Sequence, residues 1–487
     1  MLERRQFLGL LAAAAAATAV GGCASEVGAP PGTTVGATPG TPPPPFDPSR
    51  GYWMQGGFAP VAEEVTLTDL PVRGALPSTL SGLYVRNGSN PKVGDSPHWF
   101  LGDGMVHGVQ FEGGRPVWYR NRWVRTPFVE EGLGGLDAPP GGARNQSNVS
   151  IGWHGGRLLT MGEVGWPYEL SPEDLSTVGA HDFAGKLTTA MTAHPKIDPA
   201  TGELHFFGYG FVPPFLTYHV ADASGALVHS SEIPIQASTM IHDFAITDRD
   251  VVFWDLPVLF DLQAGIQMVT GATGAMPYRW TPANGARLGV MPLGGTGEQI
   301  RWVEIDPCYV FHGTNAFRDG DDVVLDVCRL EHAFTETEDL GVSTPHRWRI
   351  DTSTMAFTDE PRGDLPMDLP AIDRRVAGRP YRHGWYVEVD EAAAQPLELA
   401  GIRWMDHDSG ETAAWRPDAG VHANEVVFVP EDDGEGEGWL LTYAYDANRG
   451  ASDLVVLDAT DVAAGPVGAV ELPVRVPYGF HGTWVPA

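Results

Sequence analysis

From Leu83 to Leu457 the chain repeatedly runs through four to eight residues of apolar or alternating character and then stops at a tight turn. Leu83–Arg86, Arg157–Met161, Glu203–Tyr209, Asp250–Trp254, Asp322–Val327, Gly438–Tyr445 and Asp453–Leu457 all have this form, and each reads as a β-strand. Between them stand hairpin signals: Glu112-Gly113-Gly114, His154-Gly155-Gly156, Asp319-Gly320-Asp321 and Asp432-Asp433-Gly434. Glycine and proline supply 60 and 41 of 487 residues, which long helices would not tolerate. The chain is therefore all-β. So long an antiparallel protein has to hide its strand edges, which large sandwiches, closed barrels and propellers do. At this length a propeller of roughly six to eight blades fits best.

The N-terminal 23 residues carry an address rather than a fold. Arg4-Arg5 and Phe7-Leu8 precede an apolar run from Leu10 to Val20, too short for the roughly 20 residues a bilayer needs, so we expect a Tat-type export signal instead of an uncleaved anchor helix. Val20-Gly21-Gly22-Cys23 resembles a lipobox whose cysteine would be acylated; a plain cleavage site nearby is the alternative. Residues 24–48 are rich in proline, glycine and threonine, as a solvated tether is, and residues 49–487 contain no further linker, which predicts one domain. Cys308 and Cys328 are too few for a disulfide framework. One bridge between them is open, but we read two buried thiols.

Charge excludes one class of partner. The formal net charge is −31, and the only lysines are Lys92, Lys186 and Lys196, so nucleic acid would be repelled. The glycine pairs in Gly102-Asp103-Gly104 and Arg86-Asn87-Gly88 open no helix and read as propeller turns rather than phosphate loops, and Glu431–Glu437 reads as a solvated loop tip.

Four of the sixteen histidines have similar surroundings. His194, His242, His312 and His481 each read as the end of an apolar segment followed by a turn residue or carboxylate. A single such histidine is more often a satisfied core residue than a ligand. Their separations of 48, 70 and 169 residues, however, place them on four different blades at roughly 60 residues per blade, and only the central axis would let them meet. Four imidazoles without cysteine or carboxylate suit a borderline transition metal that keeps open positions.

Several blocks carry a family resemblance: FAPVAEEVTLTDLPVRGALPSTLSGLYVRNGSNP (58–91), HWFLGDGMVHGVQF (98–111), NRWVRT (121–126), the four histidine segments, DLPAIDRRVAGRPYR (368–382) and GFHGTWVP (479–486). Together they make the chain resemble the carotenoid cleavage oxygenase family from about Gly51 to Ala487. The resemblance implies a seven-bladed propeller, capped by loops and short helices over the metal face, that holds a non-haem Fe(II) through His194, His242, His312 and His481. It further implies that carboxylates orient three of these rings. Glu163 and Glu425 match two of them, and Asp368 stands where the family has a third glutamate. One methylene shorter, Asp368 is expected to make a stretched or water-mediated contact with His312. Gln146-Ser147-Asn148-Val149 departs from the family's usual Asn-Thr-Asn-Val at a position near the metal in relatives, which puts oxygen access in question.

By the same resemblance the expected activity is O2-dependent cleavage of a C=C bond in a carotenoid or apocarotenoid, giving two carbonyl products with no acid or base beyond the metal centre. A lignostilbene or phenylpropene dioxygenase is the alternative. Relatives of that kind hold the phenol with a lysine soon after Val-Arg-Thr, whereas Thr126 is followed here by Pro127-Phe128-Val129-Glu130. An isomerase and a non-catalytic propeller binding an apolar ligand are remoter options. The expected partners are a polyene and O2, a membrane contacted peripherally through Cys23 or an apolar rim, and no second subunit. Because His481 lies six residues from the C-terminus, deleting the last seven residues is expected to remove metal binding and leave most of the fold.

Overall fold

Strand Gly82–Ser89 is buried at every position, because it is covered on both faces and paired on both edges. One of its partners is Gly104–Glu112; the other is Gly482–Pro486, from the far end of the chain, with Leu83 opposite Val485. This pairing closes a ring. The computed structural model describes residues 46–132, 142–269, 276–336, 340–390 and 398–487, so the signal, the lipobox with Cys23 and nearly all of the tether lie outside the described residues.

Seven antiparallel sheets, here blades I to VII, surround the axis. Their innermost strands are Gly482–Pro486 (I), Ser150–His154 (II), Lys196–Ile197 (III), Ala245–Ile246 (IV), Tyr309–Asp319 (V), Met367–Ile372 (VI) and the interrupted pair Val421–Ala423 and Val427–Pro430 (VII). Seven is the number the family resemblance implied, within the range allowed by length. Every strand segment read from the sequence falls on a blade strand, Glu203 alone lying outside, and most strands extend a residue or more beyond the segment. Gly155 and Gly156, with φ of 56° and 74°, make the tight connection between the first two strands of blade II, a conformation that favours glycine.

Two readings change. Arg86-Asn87-Gly88 is not a turn but the interior of the buried strand Gly82–Ser89. The acidic loop is not a free tip: Arg375 donates to the carbonyls of Asp432 and Gly434, and Glu435 accepts from the backbone N–H groups of Arg382 and His383.

Both ends of the propeller domain clasp the ring. Gly482–Pro486 completes blade I, and Val72–Gly74 pairs with Pro466–Glu471 on the outer edge of blade VII. Deleting the last seven residues would therefore open the ring as well as remove His481. Outer strands such as Ala356–Pro361 are short and mostly exposed, which limits edge-to-edge association. The core lies between blades, where Trp254 and Trp348 are fully buried in one contiguous cluster and Trp385 stacks on Phe428 with ring centroids 5.0 Å apart. Helices are few. Pro127–Glu131 is capped by Thr126, whose side chain accepts from Val129 N, and by Gly132 in the left-handed region. Leu262–Val269 follows Val258–Phe260, which pairs with Tyr278–Trp280 in an excursion inserted between two strands of blade IV. No helix among the described residues is long and apolar enough to cross a membrane. Cys308 and Cys328 are buried free thiols.

Candidate metal centre

In a propeller the inner strands come closest together at the axis, so a side chain at the start of one can meet its counterparts from other blades. Three of the four histidines stand just before such a strand and the fourth lies within one. His481 immediately precedes the inner strand of blade I, His194 lies two residues before that of blade III, and His242 three before that of blade IV. They stand at strand starts, not at the ends of the segments before them as the sequence suggested. His312 lies inside the first strand of blade V, where the pairing register shifts on both sides of Gly313.

One ring nitrogen from each of the four lies within 4.8 Å of the others. His194 Nε2 and His242 Nε2 are 2.9 Å apart. Ring centroids are separated by 4.5 to 5.1 Å with interplanar angles of 53° to 79°, so the rings converge by their edges rather than stack.

The remaining three blades each supply a carboxylate to the same hub. His242 Nδ1 contacts Glu163 Oε1, two residues past the end of the second strand of blade II. His312 Nδ1 is 2.7 Å from Asp368 Oδ1 of blade VI, and His481 Nδ1 is 2.6 Å from Glu425 Oε1 of blade VII. An ionised carboxylate only accepts, so each Nδ1 carries the proton and each Nε2 presents its lone pair to the centre. Burial pushes the Glu163 and Asp368 carboxyls up, but the facing imidazoles and the hydrogen bonds outweigh it and hold both below the usual range. His194 has its proton affinity driven far down by burial and by the three neighbouring rings.

Other residues fix this set, and none of them was singled out from the sequence. Thr192 Oγ1 accepts from the backbone N–H of His194 and donates to the carbonyl of His242, at 3.2 Å each. Tyr209 donates to Glu163 Oε2 at 2.6 Å, and Gly482 N to Glu425 Oε2 at 2.8 Å. Asp243 accepts from Gly313 N at 2.9 Å and pairs with Lys196 at 2.7 Å, which ties blades III, IV and V together. A polar residue one or two positions from each histidine was the available signal.

The match to known proteins covers the whole ring. A family model described as "Retinal pigment epithelial membrane protein" matches residues 58–486. The "Carotenoid cleavage oxygenase" of Mycobacterium tuberculosis is 37% identical over 90% of this chain and 98% of its own length. The chain belongs to the carotenoid cleavage oxygenase family. It is therefore an oxygenase. Among solved structures of the family, the Pseudomonas brassicacearum lignostilbene dioxygenase superposes with a TM-score of 0.81 at 27% identity, over 90% of this chain and 99% of that one. Cobalt-substituted Synechocystis apocarotenoid oxygenase gives a TM-score of 0.79 at 27% identity, over 90% and 98%.

The donor set in this family member fits a divalent transition metal. His312 Nε2 is buried with no hydrogen-bond partner among the described residues, a state that costs about 1–3 kcal/mol unless a cation meets the lone pair.

Asp368 differs from the expectation of a stretched contact. Its bond to His312 is direct, because the backbone comes to meet the ring: the register of its strand shifts between Asp368 and Ala371, and Leu369 takes a φ of 52°. Leu369 N also donates to Asp368 Oδ1 at 2.7 Å. Ser147 is fully buried and its hydroxyl meets Thr160 Oγ1 at 2.8 Å.

Two of the four ligands, His312 and His481, are preceded by phenylalanine. Phe480 packs against Trp99 and Phe100. Phe311 lies 5.3 Å from the His242 ring and continues through Phe334, Tyr278 and Phe260 to Phe211. An aromatic wall therefore begins at the hub and runs into the excursion of blade IV.

Proposed function

We propose that the protein is an Fe(II)-dependent dioxygenase that cleaves a C=C bond of a carotenoid or apocarotenoid, placing one atom of O2 on each of two carbonyl products. The observation that carries this reading is the convergence of four imidazole nitrogens, three backed by carboxylates, beside an aromatic wall. His194, His242, His312 and His481 would hold the iron. When bound, iron supplies a redox-active position open to O2. Glu163, Asp368 and Glu425 hold three imidazoles in the tautomer that leaves Nε2 free, and their negative charge balances a cation whose ligands are neutral. Phe311, with Phe334, Tyr278, Phe260 and Phe211 packed in series behind it, gives the hub an apolar side that suits a conjugated chain.

The test is anaerobic purification, iron assay, and incubation with a carotenoid panel under labelled oxygen. Two aldehydes, each carrying one labelled atom, support the proposal. Polyene binding without loss of colour would instead indicate a binding protein, and preferential cleavage of stilbenes the alternative substrate class. That second reading has one observation in its favour. Lys92 lies beside the segment that follows Thr126, with Nζ 3.5 Å from the carbonyl of Val129 and over the Trp123 ring. The aromatic wall favours the longer polyene.

Export through the Tat route, with attachment at Cys23, is our proposal for how the enzyme reaches a membrane-dissolved substrate, since the acidic chain is itself repelled by anionic headgroups. We read the working form as a monomer.

A further inference from the structure

No regular element carries His481. Residues 472–481, between the strands Pro466–Glu471 and Gly482–Pro486, form neither strand nor helix. A ring on such a segment is aimed only when the segment's own backbone groups are bonded to something rigid.

The rigid support is the interior of strand Gly82–Ser89, at Arg86-Asn87-Gly88. Asn87 N donates to the carbonyl of His481 at 3.0 Å, and the Asn87 carbonyl accepts from Phe480 N at 3.0 Å. The Asn87 side chain is fully buried. Its Nδ2 donates to the carbonyls of Ser147 and Ser150 at 2.8 and 3.0 Å, and its Oδ1 accepts from Gly88 N at 2.9 Å. Between those serines lies Val149, whose carbonyl accepts from His481 N at 3.1 Å. One asparagine therefore supplies the donor to the His481 carbonyl and ties down the loop that accepts from the His481 N–H. Arg86, also fully buried and lying over the Tyr443 ring, donates to the carbonyl of Pro477, four residues before the ligand. Two glycines let the chains touch: a Cβ on Gly88 would lie 2.7 Å from Gly479 Cα, and one on Gly479 would lie 2.7 Å from the Asn87 carbonyl oxygen. Burying an arginine and an asparagine is costly, and both are bonded to the segment that ends in the ligand or to the loop that holds it.

We propose that Asn87 is a positioning residue for the metal centre: together with Arg86 it fixes the irregular segment Pro477–His481, so that His481 meets the other three rings at the hub. The proposal rests on His481 being an iron ligand, and the test separates the two.

Iron affinity is measured by chelator competition in a double-mutant cycle of Asn87→Asp and His481→Ala. Asn87→Asp keeps the size and the Gly88 bond but turns a carboxylate toward two carbonyls. We expect it to weaken iron binding roughly tenfold and to shift the visible bands of the cobalt-substituted protein. In the His481→Ala background it should change affinity by less than about twofold. A residue that merely stabilised the propeller would act alike in both backgrounds, and that result, or unchanged affinity and cobalt bands in Asn87→Asp alone, overturns the proposal. If His481→Ala binds iron as tightly as the parent, the ligand assignment fails first and the proposal falls with it. Hydrogen exchange resolved to single amides gives a second measurement on the unaltered protein, which stands even if a variant misfolds. Coupling is reciprocal, so iron loading should slow exchange at Asn87 and Phe480 by about fivefold or more relative to Leu83, farther along the same strand. An equal effect of iron on all three amides overturns the proposal.

Discussion

Replacing Asp368 by the glutamate usual in the family should weaken metal binding rather than restore it. In the native chain a 2.7 Å hydrogen bond to His312 is achieved by a register shift and by Leu369 at positive φ. Asp368→Glu adds one methylene, about 1.5 Å of chain, to a carboxylate already in contact. Beside it Cys328, Met367 and Tyr386 belong to a buried cluster, so the extra atom has to displace packed side chains. Overpacking of this kind costs about 1–3 kcal/mol. If most of that falls on the His312 geometry, iron affinity drops roughly 5- to 100-fold. Competition for iron against a calibrated chelator, with cobalt uptake as a spectroscopic check, measures it. Asp368→Asn, which keeps size and loses charge, should fall in the range of about 10- to 100-fold. An Asp368→Glu protein that binds iron as tightly as the parent, or more tightly, would show that the backbone shift is not what compensates the shorter side chain.

Other outcomes follow from the same geometry. His481→Ala should bind iron more weakly, retain three imidazole ligands and remain folded by circular dichroism, whereas deletion of residues 481–487 should also lower the melting temperature by several degrees, because the strand that closes blade I goes with it. Tyr209→Phe removes the hydroxyl on Glu163 and should reduce iron affinity by a smaller factor than Glu163→Gln, read in the same chelator assay. Burial pushes the Cys308 thiol up to about 12, so at pH 8 almost no thiolate is present and iodoacetamide should label it only after unfolding. Metal-free protein refolded in an equimolar mixture of iron, copper and zinc salts should take up copper or zinc, as four imidazoles prefer; selective uptake of iron would contradict that preference.

Much of this was legible in the sequence because propeller strands are short, apolar and bounded by glycine, so Arg157–Met161 could be located to the residue. The ring and its hub were less so. Physics alone gave a range of blade numbers, since blade count depends on which strands pair, and the closing pair joins residues 82–86 to 482–486. The position of the histidines before their strands, rather than after, was missed because His194 and His242 lead strands of only two residues, Lys196–Ile197 and Ala245–Ile246, too short for any periodicity. The reach of Asp368 depends on a bulge, a backbone event that side-chain length does not reveal.

The claim on which the account rests is that His194, His242, His312 and His481 bind one iron together. X-ray absorption at the iron edge of the anaerobically purified protein addresses it directly. The account predicts one iron per chain with outer-shell scattering from four imidazoles, falling to three in His481→Ala. Stoichiometric iron surrounded mainly by carboxylate or sulfur, or an unchanged imidazole number in that variant, would contradict it.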